Sequence, residues 1–264
     1  MRICRVAVGD ELFFGVLEGL GADGEPGEGT VIALLEGHPF GEIVPDGRLV
    51  RFEDVRLIAP VLPSKVVAVG KNYLDHIREV GLGEAPPEPL MFLKPSTAVI
   101  GPGDPIELPW QSEHVEHEAE LAIVIGRVCR EVPRERVADV ILGYTCANDV
   151  TARDLQTRDG QWARAKGFDT FCPLGPWIET DFAWEDTSIQ CRVNDDLRQD
   201  GNTADMLFDV ATVVEAVSSV MTLLPGDVIL TGSPSGTKPI KAGDSVTVRI
   251  EGIGTLTNPV VDRA

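Results

Sequence analysis

Short runs of branched aliphatic residues, each cut off by Gly, Pro or Asp, recur along the whole chain and leave room for few helices. RICRVAV, LFFGVLE, TVIALLE and RLVRFEDVRLIAP occupy the first sixty residues, separated by pieces such as GADGEPGEG. KVVAVG, MFLKP, AELAIVIG, LGYTCAND, LGPWIE, IQCRVN, DVILTG and DSVTVRIEG follow. Segments of this length and composition, bounded by turn formers, are strands. They do not alternate regularly with helical segments, which argues against a doubly wound parallel sheet and for an α+β, mainly β fold. Two helices are expected. One starts at Pro133 and runs through RERVADVI, with proline in the first turn. The other is DVATVVEAVSSVMTL, where Asp209 can cap and Val210, Val213, Val214, Val217 and Met221 recur at helical spacing. Pro60 and Pro63 mark a boundary between a small N-terminal β domain, residues 1–60, and a main domain, residues 61–264.

Charge restricts the partners. Lys and Arg number 23 against 42 Asp and Glu, a formal net charge of −19, and no basic cluster interrupts it. Phosphate backbones and anionic lipid surfaces would be repelled, so neither nucleic acid nor a membrane is expected. An anionic small molecule stays open if a bound cation reverses the sign inside a cleft. No run reaches the roughly 20 apolar residues of a membrane span, and the N-terminal segment has no uninterrupted apolar stretch of a signal peptide. The five cysteines, Cys4, Cys129, Cys146, Cys172 and Cys191, are odd in number and lack metal-site spacing. That suits reduced thiols, and a cytoplasmic location is expected.

Chemistry concentrates where Glu116-His117-Glu118-Ala119-Glu120 runs into LAIVIG. Residues two apart on a strand share a face, so Glu118 and Glu120 point the same way. Like charges so close need a positive partner between them. A second strand, GYTCAND, ends at Asp149 and can deliver a third carboxylate. Three carboxylates are a hard donor set that selects magnesium, manganese or calcium over zinc. The plain alternative for the motif alone is a solvated acidic strand end without an ion. In GKNYLDHIREVG, His76 and Glu79 lie one helical turn apart, where a carboxylate can orient an imidazole and raise its basicity. The alternative there is an exposed, charged turn. The Gly/Pro-rich GLGEAPPEP that follows can serve as a lid hinge. Gly232-Ser233-Pro234-Ser235-Gly236 is no nucleophile elbow, because its middle residue is proline. No phosphate-binding loop and no two-histidine zinc pair is present.

In this order, KNYLDHIREV, MFLKPSTAVIGPGDPI, EHEAELAIVIG, CANDVTARDLQ, KGFDTFCPLGPWI, VNDDLRQDGNT and GDVILTGSPSG resemble the fumarylacetoacetate hydrolase family from about Val61 to the end. The resemblance implies a mixed β-sandwich roll, usually a homodimer, with a small N-terminal β domain as in members similar to bacterial 2-hydroxyhepta-2,4-diene-1,7-dioate isomerases. Acylpyruvases and oxaloacetate decarboxylases are the other relatives it suggests. It implies Mg2+ or Mn2+, with Ca2+ also fitting, on Glu118, Glu120 and Asp149, and a small 2-oxo or 2,4-dioxo acid as substrate. It gives catalytic roles to His76, Glu79 and Lys166, puts Arg153 and Gln156 in the pocket, and makes Lys94 and Ser233 lining candidates. Two residues depart from the family pattern: His117 stands where tyrosine or tryptophan is frequent, and Asp195 where glycine is common. A non-catalytic module that retains the metal and oxo-acid site is the competing expectation.

Overall fold

The computed structural model describes residues 1–21, 24–81 and 83–263. Ala22 and Asp23 of the GADGEPGEG turn, and Leu82 of the expected lid hinge, lie outside the described residues. The chain opens with β1 (Arg2–Val8), β2 (Glu11–Glu18), β3 (Val31–Leu35) and β4 (Pro45–Arg51), which pair antiparallel in succession. β5 (Arg56–Ile58) then pairs with β1. Cys4, Val6, Leu17, Ile32 and Leu34 point inward from these strands and pack with Trp177.

The middle of the chain begins with β6 (Val66–Gly70), α1 (Leu74–Glu79) and β7 (Leu90–Lys94). Short strands β8 (Val99–Ile100), β9 (Ile106–Leu108) and β10 (Val115–Glu116) lead into β11 (Ala119–Ile125) and β12 (Ile141–Asn148). β13 (Thr151–Ala152), α2 (Arg153–Asp159), α3 (Ala163–Lys166) and β14 (Cys172–Glu179) follow. The last third holds β15 (Ser188–Val193), β16 (Asp196–Asn202), α4 (Val210–Val220), β17 (Val228–Leu230), β18 (Ser245–Ile250) and β19 (Gly254–Asp262).

Ten strands form one continuous path, β4-β3-β2-β1-β14-β12-β11-β17-β6-β7, with β5 and β8 attached to β1 and β14. A second sheet, β16-β15-β18-β19-β9, packs against it. The first sheet runs on across the Pro60–Pro63 segment, because β1 pairs antiparallel with β14. β11 is buried along its whole length: Leu121, Ile123 and Ile125 join the cluster between the sheets, while Ala122 and Val124 join a cluster on the other face. Burial on both faces is why AELAIVI reads as an unbroken aliphatic run and not as alternation. The mainly β architecture expected from the sequence is the one observed.

α4 forms where its apolar stripe predicts, and Asp209 caps it by accepting the Thr212 amide at 2.9 Å. The segment after Pro133 differs from expectation: Arg134–Asp139 is a 3-10 helix. Its only buried side chain is Val137, so no apolar stripe favours an α-helical ladder there. α2, α3 and the last strand, β19, have no counterpart among the expected elements. No described helix is long and apolar enough to cross a membrane. All five cysteines are free thiols.

Candidate metal centre

Antiparallel pairing of β11 with β12 brings the acidic residues together. The register sets Ala119 opposite Asn148, so Glu118 and Asp149 lie just beyond the paired ends, and the Asp149 amide donates to the Glu118 carbonyl at 2.8 Å. Glu120 lies one position inside, two residues from Glu118 and on the same face. Glu118, Glu120 and Asp149 each offer one oxygen, all within 4.8 Å of one another, and all three side chains are buried. They line a small pocket together with His76, Arg153, Gln156, Lys166 and Ser233. Phe92 and Trp162 supply its apolar wall and meet edge to face at 5.2 Å. Gly70 is required beside them, since a Cβ there would come within 2.5 Å of the Trp162 ring.

Three cations attend the acids. The Lys166 ammonium bridges Glu118 Oε2 at 2.7 Å and Asp149 Oδ2 at 2.5 Å. Lys94 donates to Asp149 Oδ1 at 2.6 Å and to the Val150 carbonyl at 3.2 Å. Arg153 donates to Glu118 Oε1, to Glu116 Oε2 at 2.9 Å and to Gln156 Oε1 at 2.7 Å. Burial works against a charged Glu118, yet Lys166 and Arg153 outweigh it and hold its carboxyl below the ordinary range. Burial also works against a charged Lys166, and Asp149 and Glu118 outweigh it in turn, so its pKa is raised. Glu120 has no such partner. Burial first, then Asp149 and Glu118, push its pKa well above the carboxylate range, and its carboxylate accepts the Gly232 amide at 2.6 Å.

This imbalance tests the donor set against a cation. Glu116, Glu118, Glu120 and Asp149 carry four negative charges, and Lys94, Arg153 and Lys166 carry three positive ones. The sum is −1, and the uncompensated group is Glu120. A buried carboxylate trio with one member lacking a counter-charge fits a hard divalent ion, which would leave a local charge of +1 for an anionic ligand.

His76 is buried on α1 and lines the cavity, with Nε2 3.8 Å from Glu118 Oε1. Burial pushes its pKa down, which favours neutral imidazole. The expected His76–Glu79 hydrogen bond is not closed. Nδ1 and Glu79 Oε2 are 3.7 Å apart, Nδ1 has no hydrogen-bond partner among the described residues, and the Glu79 carboxylate instead accepts the Gly236 amide at 2.7 Å. Glu79 does not line the cavity, and neither does Lys94, which meets it only through Asp149. Arg153, Gln156, Lys166 and Ser233 do line it.

Sequence reasoning missed Glu116, Trp162 and Gln199. Glu116 stands two before Glu118, so strand parity could have flagged it, and it is the residue that steadies Arg153. The other two carry no local signal. His117 is fully buried, its Nδ1 2.9 Å from Gln199 Oε1, and burial pushes its pKa down to about 4.

Residues 65–261 match the family described as fumarylacetoacetate (FAA) hydrolase C-terminal, and residues 1–60 match one described as Rv2993c-like, N-terminal. The chain is similar to the crystal structure of a 5-carboxymethyl-2-hydroxymuconate delta-isomerase from Mycobacterium smegmatis, at 53% identity and a TM-score of 0.91, with 100% of each chain covered. It is 43% identical over 221 residues to a mitochondrial oxaloacetate tautomerase of Xenopus laevis, covering 79% of this chain and 69% of that one. A maleylpyruvate hydrolase from Sphingobium sp. SYK-6, in complex with manganese(II) ion and pyruvate, matches with a TM-score of 0.78 and 31% identity, again with 100% of each chain covered.

Proposed function

Because the chain belongs to the fumarylacetoacetate hydrolase family, we propose that it is a divalent-metal-dependent enzyme acting on a small 2-oxo acid at the carbon next to the oxo group. The observation that carries the reading is Glu120, buried among acids without a cation, in a cavity otherwise lined by donors suited to an anion. Glu118, Glu120 and Asp149 would hold magnesium or manganese. When bound, such an ion supplies Lewis acidity toward the carboxylate and 2-oxo oxygens of the substrate.

The chain's own residues do the rest. Arg153 is held by Glu116, Glu118 and Gln156 with one fixed orientation, so its guanidinium is preorganised at the cavity wall. Lys166 adds a charged donor that favours negative charge developing on the substrate. Neutral His76, in reach of the cavity, takes a proton from C3 or from water and returns it. Phe92 and Trp162 exclude water along one wall, which strengthens these interactions. C–C hydrolysis of acylpyruvates, oxaloacetate decarboxylation and proton shift between keto and enol forms all build charge on the same oxygen, so one site serves each. The proton shift needs no attacking water. It is the reaction favoured here, because Glu79 is engaged with Gly236 and is not closed onto His76 for water activation.

The test is keto–enol interconversion of oxaloacetate, followed by absorbance, with protein stripped of metal and then resupplied with magnesium or manganese. Activity should vanish and return, and His76→Ala should abolish it. Tight binding of manganese and pyruvate without turnover of oxaloacetate or acylpyruvates would favour the non-catalytic module instead.

A further inference from the structure

Gln199 sits at a polar stretch of β16, yet it is completely buried and its carboxamide is engaged at both ends. Oε1 accepts the Ala119 amide at 3.0 Å and lies 2.9 Å from His117 Nδ1. Nε2 donates to Ser233 Oγ and to the Pro234 carbonyl, both at 2.7 Å. The orientation of the amide follows from its neighbours. A backbone amide can only donate, so the atom facing Ala119 is the oxygen; a carbonyl can only accept, so the atom facing Pro234 is the nitrogen. Ser233 therefore receives a hydrogen from Gln199. Among the described residues its own hydroxyl hydrogen has only the Pro234 carbonyl to meet, which is 3.5 Å away and already occupied by Gln199. Ser233 lines the cavity.

The loop has little freedom to escape this arrangement. Gly236, at φ +102°, lies so close to β16 that a Cβ would stand 1.9 Å from the Arg198 carbonyl, and a Cβ on Gly201 would stand 2.5 Å from the Pro234 ring. Gln199 thus joins the main chain between the two metal-binding glutamates to the loop that carries Ser233.

We propose that Gln199 is a positioning residue that fixes Ser233 as a hydrogen-bond donor to an anionic oxygen of the substrate. This rests on the oxo-acid reading above. Ser233 touches the substrate; Gln199 acts only through it.

Steady-state kinetics on oxaloacetate, with manganese-loaded wild type, Ser233→Ala, Gln199→Glu, Gln199→Met and the two double variants, tests the proposal. Ser233→Ala removes the donor and should raise KM roughly tenfold with little change in kcat, the loss expected for one hydrogen bond to a charged group. Gln199→Glu turns the bond around, so that Ser233 donates to the carboxylate and no longer into the cavity; KM should rise by a similar factor. Gln199→Met removes the Nε2 donor without adding charge, and should also raise KM if the glutamate variant folds poorly. In the Ser233→Ala background either change at 199 should add less than about twofold, the non-additivity of residues acting as one unit. Manganese affinity, measured by calorimetry, should stay within about twofold of wild type. Additive effects in the double variants, an unchanged KM in Gln199→Met, or loss of manganese binding in step with KM would overturn the proposal while leaving the functional reading intact. A wild type that neither turns over oxaloacetate nor binds pyruvate refutes the functional reading, and this inference with it.

Discussion

Glu120→Gln keeps the side chain's size and its acceptor for the Gly232 amide, and removes one negative charge. The ligand oxygens of the trio lie within 4.8 Å of one another. Two unit charges at that separation repel by roughly 3.5 kcal/mol at an effective dielectric of about 20. An ionised Glu120 faces two such charges, about 7 kcal/mol in sum, of which Lys166 offsets a part. Taking up a proton at pH 7 costs about 3.7 kcal/mol from the ordinary glutamate pKa. Without a cation the proton is the cheaper solution, in line with the raised pKa of this group. A neutral glutamine then resembles the metal-free wild type, and its stability should lie within about 1 kcal/mol of it. With metal the two part. A ligand at a hundred times its Kd stabilises by about 2.7 kcal/mol, roughly 5–10 °C in Tm for a chain of this size. Differential scanning calorimetry with and without manganese, at a hundred times the wild-type Kd, should show that shift in wild type and lose most of it in Glu120→Gln. A full shift in the variant would remove Glu120 from the ligand set. A drop of more than about 5 °C in the metal-free variant would mean that the electrostatics of the trio has been read with the wrong sign.

Lys94→Met leaves Asp149 buried with one cation fewer and should cost about 3 kcal/mol in urea unfolding, beyond any change in activity. Leu121→Ala, at a fully buried position between the sheets, should cost about 3 kcal/mol in the same assay. Asp209 caps α4 and pairs with Arg134, which together with its amide bonds lowers its pKa to about 2 against the burial that works the other way. Because the folded value lies below the unfolded one, its contribution is full above about pH 4 and fades as pH falls toward 2. The Asp209 side chain is a third exposed and that of Arg134 half exposed, so the pair is screened by solvent, and Asp209→Ala should cost about 1 kcal/mol at pH 7, converging on wild type in acid unfolding. A difference that persists unchanged below pH 2 would contradict the capping account.

Local pattern carried much of the architecture. Aliphatic runs cut by Gly and Pro specify strands, Asp209 with its valine stripe specifies α4, and period two sends Glu118 and Glu120 to one side of β11. The acidic trio was legible because its third member ends the neighbouring strand, so a single hairpin register, Ala119 opposite Asn148, completes it. The expected hydrogen bond between His76 and Glu79 came from the same logic and met its limit there. Helical spacing brings the two within 3.7 Å, but a distant amide, Gly236, claims the carboxylate.

What the amino-acid order determined by itself is which residues share a face, because that depends only on the geometry of one strand or helix turn. Which cation answers each acid was decided by the tertiary structure. Lys166 reaches Glu118 across 48 residues, Lys94 reaches Asp149 across 55, and Gln199 reaches His117 across 82. β16 reads as a polar strand of no consequence until pairing with β15 and packing against the Gly232–Gly236 loop bury one of its side chains. Burial removes water as a partner, so each polar atom has to find another in the protein. That search is settled by the packing of whole sheets, and no local spacing encodes it.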